Sequence, residues 1–487
     1  MLRHIPVLVV ALPLLCAPLC LLLRNNKFLH ILSLLVGTFS VIACAWMLIY
    51  ASTTGDLSYY LGGWIPPFGI AYKIDVLSAL IAFLLSIIFL FVFLYIPRSF
   101  AAELADRHRY PIYSALFISQ SGYTGAVVTD DLFNIYVFLE MASLAGYALT
   151  AAKGKPNDLI AAYQYLILGT VGAIFLLLGI GYLYVLSGTL NLSDLSLRLS
   201  TLLDTPAGLA ALVFIIIGLL LKSAVFPLHF WLPRVYTYAP SAISALFSGI
   251  SSKVALYLLI RFYFDTFGGS AFSDHIDTIL LILGSLSILF GSFVACRQKH
   301  IKKMMAYSSI GQLGYIIVGV GLLSSAGVSA ALINLFNHAI IKCMLFLALG
   351  CVVYRMGNCT LLELRGLSKQ MPWTAAALVI GGLSLIGMPL TSGFISKWYL
   401  ITAALQANVW LIVIVVLTGS LLSLIYVWQL IAATYSEGSK ATQVKEAPLS
   451  MTIAVYALAA ITIYTGVQPA WLTEICAAVG NTLWAQL

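Results

Sequence analysis

The sequence predicts an all-α polytopic membrane protein with 14 transmembrane helices, and three observations carry that expectation. Hydrophobic residues make up 62% of the 487 positions and charged residues only 9%, where a soluble domain carries about 25% charged. Apolar runs of about 20 residues, the length that crosses a hydrocarbon core about 30 Å thick, recur from the first residues to the last. Lysine and arginine then fall almost entirely on one side of the chain so threaded.

The apolar runs span residues 5–23, 28–51, 75–97, 110–128, 131–151, 158–187, 207–233, 239–264, 276–296, 301–323, 326–354, 374–405, 407–435 and 450–468. Arg3 ahead of the first run resembles the start of a signal peptide. No small-residue cleavage site separates that run from the next, so it reads as an uncleaved helix. Loops after odd-numbered helices hold Arg24, Lys27, Arg98, Arg107, Arg109, Lys153, Lys155, Arg234, Arg297, Lys299, Lys302, Lys303, Arg355, Arg365, Lys369, Lys440 and Lys445. The opposite side holds Arg3, Lys73, Arg198 and Arg261. Short cytoplasmic loops collect basic residues, so this bias puts both termini outside a bacterial inner membrane. The net charge of +8 is then a topology signal and not a nucleic-acid footprint.

The eight cysteines sit mostly inside apolar runs without zinc-ligand spacing. No glycine-rich phosphate loop follows a strand, so neither nucleotide, redox cofactor nor metal is expected.

Four basic residues remain, all within helices: Lys222, Lys253, Lys342 and Lys397. Glu140 is the carboxylate set well inside a helix. Each such charge costs about 2.5–3.5 kcal/mol at mid-bilayer, on the order of 15 kcal/mol for five. That total rivals a whole fold's net stability of about 5–15 kcal/mol, so these groups are expected to face one another or a hydrated interior. Lysine suits proton handling, because burial favours its neutral form while a nearby carboxylate restores the charge. Static interhelical pairs are the plainer alternative.

Lys222 precedes Pro227 by five residues, and Lys397 follows Pro389 in GMPLTSGFISKW. Proline removes a helix hydrogen bond and frees carbonyls for water or an ion, so both sites read as helix breaks. Paired broken helices are expected of transporters built from internal repeats. His229, just past Pro227 and near a helix end, is a candidate gate or a packed core histidine. His338 and Lys342 stand four apart, on one helix face.

Five segments in order, DLFNIYVFLE, KSAVFPLHFWLP, IKKMMAYSSIGQLGY, NHAIIKCMLFLALG and GMPLTSGFISKW, resemble signatures of the antiporter-like proton-translocating family. That family includes three large membrane subunits of respiratory complex I and the A and D subunits of Mrp-type sodium/proton antiporters. The likeness covers about residues 70–430 and is most similar to the D type. It implies inverted five-helix repeats, helices 4–8 and 9–13, around broken helices 7 and 12. The divisions are then 1–109 (helices 1–3), 110–265 (first repeat), 266–435 (second repeat) and 436–487 (helix 14 and tail). By the same resemblance Glu140 and Lys222 form a modulating pair, Lys253 is a central relay, His338 and Lys342 continue it, and Lys397 is the terminal exchange lysine. Partners so implied are antiporter subunits of A, B, C, E, F and G type, with protons and sodium as cargo. Leu139, where an aromatic is usual, and Asp130, where glycine is commoner, depart from the pattern without touching an ionisable position. A redox-driven pump subunit of complex I or of a membrane-bound hydrogenase is the alternative. A membrane enzyme using Asn337 and His338 and a purely structural subunit are further readings.

Overall fold

The computed structural model describes residues 2–198, 205–265, 273–437 and 444–485, so Lys440 lies outside the described residues. Each of the 14 apolar runs forms a helix or a helix pair. In chain order these are α1 (Ile5–Leu23), α2 (Asn26–Thr53), α3 (Val76–Glu103), α4 (Asp106–Val128), α5 (Leu132–Thr150), α6 (Pro156–Ser187), the short α7 (Leu192–Arg198), α8 (Pro206–Ser223), α9 (Trp231–Tyr238), α10 (Ser241–Gly249) and α11 (Ser251–Asp265). There follow α12 (Ser273–Cys296), α13 (Ile301–Gly321), α14 (Ser325–Met356), the single-turn α15 (Leu367–Gln370), α16 (Pro372–Ile386), α17 (Ser392–Gln406), α18 (Trp410–Tyr435), α19 (Leu449–Val467) and α20 (Ala470–Trp484). Twelve spans among the described residues are long and apolar enough to cross a membrane. The more polar α4 and the divided α16 and α17 fall short of that length or hydropathy. A hairpin of β1 (Leu57–Tyr60) and β2 (Ala71–Ile74), together with α20, was not signalled by the apolar pattern.

Helix starts follow from capping chemistry. The side chains of Asn25, Asp75, Asp131, Thr205 and Ser324 accept hydrogen bonds from first-turn amides of α2, α3, α5, α8 and α14. Pro156, Pro206 and Pro372 sit where a missing amide hydrogen does no harm.

Burial divides the helices into a shell and a centre. On α2, Leu35, Ile42 and Ile49 repeat every seven residues and are 64%, 65% and 63% exposed. An apolar row of that kind belongs against hydrocarbon. The combined α10–α11 span, α13 and α14 are instead buried almost all round, and they carry Lys253, Lys302, His338 and Lys342. Helices α12 and α13 pack backbone to backbone: a Cβ on Gly314 would lie 2.5 Å from the Gly284 carbonyl oxygen, and one on Gly291 2.5 Å from the Gly311 amide. Small residues permit this close approach between membrane helices.

Contacts at the two ends of the bundle tie particular loops together. At one end His300 bridges Thr360, and Lys153 donates to Ala239 O at 3.2 Å, joining four of the basic loops in two pairs. At the other end Tyr72 bridges Thr129, Asp131 bridges Asn191, and Arg261 pairs with Asp75 and, at 2.8 Å, with Asp265. Arg261 is a buried side chain here and not a loop charge. Burial would raise the Asp75 carboxyl, but Arg261 and the Ser78 amide and hydroxyl outweigh it and hold the group below its ordinary value. Replacing Arg261 by Leu would strand two carboxylates. We expect a loss of about 3–5 kcal/mol, the scale for breaking a buried ion pair, read as a lowered thermal midpoint of the purified chain. An unchanged midpoint would show the pair to be dispensable.

Candidate functional site: a buried lysine axis

Glu140 and Ser143 are one turn apart on α5 and face α8. Lys222, in the last turn of α8, donates to Glu140 Oε1 at 2.6 Å and to Ser143 Oγ at 3.1 Å. The pair lies beside a break. After Ser223 the chain turns through Ala224 at φ 59°, and Pro227 prevents the helix from resuming before α9. The carbonyls left at the end of α8 find donors: Val225 N reaches Leu220 O at 3.2 Å, and the Trp231 indole reaches Leu221 O at 3.0 Å.

The second break has the same logic in reversed order. Helix α16 ends at Ile386, Gly387 adopts φ 92°, and α17 begins beyond Pro389. Lys397, on the first turns of α17, reaches back and donates to Leu385 O at 3.0 Å and Ile386 O at 2.7 Å. Gly393 lies so close to α16 that a Cβ there would overlap Ser384 O. Both Lys222 and Lys397 therefore stand at the C-terminal end of a half-helix, where the aligned peptide dipoles favour a cation. They differ in company. Lys222 has a carboxylate, whereas among the described residues Lys397 makes no ion pair and has the Tyr315 ring 5.4 Å away.

Between these ends lie the groups on the central helices. A cavity of about 20 Å³, room for one water, is lined by Lys222, Ser143, Tyr123, Trp231 and Ser251, so it touches α5, α8 and the start of α11. Two residues along, Lys253 donates to Ser248 O and has Ser252 Oγ at 3.5 Å. Lys342 donates to Met305 O at 2.9 Å and to Ser308 Oγ. His338 is 1% exposed, and neither ring nitrogen has a protein partner. Buried nitrogens in that condition call for water. Its neighbour Asn337 donates to Ser392 O at 3.1 Å and to Ser396 Oγ at 3.0 Å, tying α14 to the turn that carries Lys397. Lys222 thus shares a cavity with Ser251 of α11, the helix of Lys253, and Asn337 beside His338 contacts α17, the helix of Lys397.

His229 lies apart from these groups. It occupies the break itself, before α9, with ring centroids of Phe230 and Phe290 at 4.8 and 5.0 Å and Nδ1 unpartnered. The expected position near the end of its helix is corrected accordingly: the break begins at Ala224, so His229 belongs to the interruption.

Sequence reasoning missed a fifth buried lysine. Lys302 counts as a loop residue by position, yet it is 2% exposed within α13 and donates to Ser241 Oγ at 2.9 Å. Glu103, at the end of α3, accepts from Lys153 at 2.9 Å and from the Ser241 amide at 3.1 Å. The available signal was periodicity: Lys302 shares a face of α13 with Met305, Ser309 and Gln312.

Comparison with known proteins agrees with this architecture. The N subunit of an NADH-quinone oxidoreductase from Desulforudis audaxviator is 37% identical over 445 residues, 90% of this chain and 88% of that protein. The D-type subunit of a Na(+)/H(+) antiporter from Alkalihalophilus pseudofirmus is 32% identical over 400 residues, 81% and 80% of the respective chains. A chain of the Mrp complex from Dietzia sp. superposes with a TM-score of 0.91 at 25% identity, covering 99% of this chain and 97% of that one. The family model for the transmembrane part of NADH:quinone oxidoreductases and Mrp antiporters matches residues 129–423, the stretch that runs from the start of α5 through both breaks into α18, and the chain belongs to that family.

Proposed function

We propose that this chain is the proton-translocating, D-type subunit of a multi-subunit sodium/proton antiporter of a bacterial inner membrane. One observation carries the reading: a buried lysine ion-paired to a half-buried carboxylate at 2.6 Å, at the mouth of a helix break. With Glu140 close, Lys222 keeps its proton. When the carboxylate moves away, the ammonium loses its counter-charge in a low-dielectric site and releases the proton toward the Ser251 side of the cavity. Lys253, His338 with Lys342, and Lys397 carry it onward, the last toward the opposite face. Sodium exchange is coupled through neighbouring subunits of A, B, C, E, F and G type, which makes the chain a transporter subunit and not itself an enzyme.

The two breaks support inverted repeats over 110–265 and 266–435. In each unit a buried lysine puts its ammonium at the C-terminal end of the half-helix that precedes the break, as two copies of one unit would. The convergence of the basic loops at one end supports a cytoplasmic location for that end, with both termini outside. His229, boxed by aromatic rings inside the first break, would gate it by rotation.

A redox-driven complex is the second reading, favoured by the 37% identity to an NADH-quinone oxidoreductase subunit. Purifying the complex through a tag on this chain separates the two, because companions of antiporter type support the first and iron–sulfur or flavin subunits the second.

Glu140→Ala and Lys222→Ala are expected to lower exchange in inside-out vesicles by about a hundredfold or more, the scale of a lost proton-transfer group, with assembly retained. Full activity in both would remove the relay. Lys222→Arg and Lys397→Arg are sharper, because guanidinium keeps the charge and can donate to the same oxygens but does not give up its proton. Both should fold normally and transport poorly, whereas a static-pair role predicts near-normal exchange.

A further inference from the structure

The hairpin and α20 play no part in the relay, yet together they wall a pocket of about 140 Å³ on the side that the basic-loop bias makes the outer one. Its lining includes Asp56 just before β1, Lys73 of β2, Asp75, Asp265 at the end of α11, and Thr482 of α20. Several waters fit such a volume at about 30 Å³ each. Burial and the neighbouring Asp75 push the Asp56 carboxyl above its ordinary value. Three carboxylates around one hydrated vestibule draw protons and other cations to it.

Helix α11 leads from this vestibule to the centre. Asp265, Arg261, Tyr257 and Lys253 recur every fourth residue along one face, so the pocket wall and the Lys253 position are about 18 Å apart along the helix. A conducting path over that length would let protons slip between Lys253 and the outside. Arg261 stands between them. It is 4% exposed and pairs with Asp75 and, at 2.8 Å, with Asp265, while the Ser78 amide fixes Asp75 in turn at 2.8 Å. The next group inward, the Tyr257 hydroxyl, donates to Val127 O at 2.8 Å. The choice of side chain matters here. Among the described residues Lys222, Lys253, Lys302, Lys342 and Lys397 are buried, and Arg261 is the one arginine so buried. A lysine can give up its proton and take another. A guanidinium keeps its charge, has no lone pair to accept a proton, and repels cations from a constriction. We infer that Arg261, clamped by Asp75 and Asp265, is an electrostatic seal that closes the outer end of α11 to protons, so that Lys253 exchanges them only within the relay. The inference rests on the relay reading and adds to it the element that keeps transport coupled.

Removing Arg261 alone would strand two carboxylates and confuse a lost seal with lost stability. The test is therefore the triple variant Arg261→Gln, Asp75→Asn, Asp265→Asn, which removes the three charges together and leaves α3 an asparagine cap. In proteoliposomes holding the assembled complex without sodium, an imposed pH difference should decay about tenfold faster than with the parent complex, the effect of one charge lost about 10 Å away inside protein. Adding Lys253→Met should restore the slow decay. A purely structural ion pair predicts decay at the parent rate, and that result overturns the seal, as does a fast decay that persists without Lys253. As a second measurement, which decides alone if the triple variant does not assemble, an impermeant cationic methanethiosulfonate is attached to Thr482→Cys in right-side-out vesicles and its attachment verified by mass. Exchange should be unchanged, and slowed exchange would show protons crossing the vestibule. Parent-rate decay with Glu140→Ala and Lys222→Ala inactive removes the seal and leaves the relay standing, whereas full exchange in both removes the relay and the seal with it.

Discussion

An ammonium group inside a membrane must be met by oxygen, and this requirement organises the centre of the molecule. Lys222 is met by a carboxylate, Lys253 and Lys342 by a serine and a backbone carbonyl, Lys397 by two carbonyls, and Lys302 by a serine. Four of the five have no ion-pair partner within 4 Å among the described residues. They are held by dipoles, which stabilise a cation without fixing it as firmly as a full counter-charge. A charge so held is easier to discharge than one locked in a salt bridge.

The helix breaks supply those dipoles. A continuous helix consumes its carbonyls internally, and only its last turn has any to spare. Interrupting α8–α9 and α16–α17 at mid-bundle brings such turns into the interior, where lipid-facing backbone would be forbidden. In the first break the indole of Trp231 takes up a freed carbonyl, and in the second the lysine itself does so. The single carboxylate at the first break makes the two ends chemically unequal.

Much of the fold was legible because hydrocarbon is an uncompromising solvent. Each apolar run became a helix or helix pair, since a backbone in lipid has no other way to satisfy its amides. The four lysines and Glu140 stood out for the same reason: charge is rare in such runs, so its presence is information. Arg261 and Lys302 escaped notice because they lie within a turn of a helix end, where position along the chain does not separate a snorkelling side chain from a buried one. The β1–β2 hairpin and the division of α10 from α11 left no mark in hydropathy, which reports solvent and not local geometry.

The sequence by itself determined the solvent, the helix runs, the alternation of the basic loops and the identity of the ionisable groups, because each of these is a property of composition along the chain. Tertiary structure alone decided which of those groups meet. That Lys222 touches Glu140 across 82 positions, that Lys397 caps the helix before it, and that Ser241 joins Lys302 to Glu103 depend on helix rotation and packing. Those are set by small residues such as Gly314 and Gly393 allowing close approach, through contacts between segments far apart in the chain.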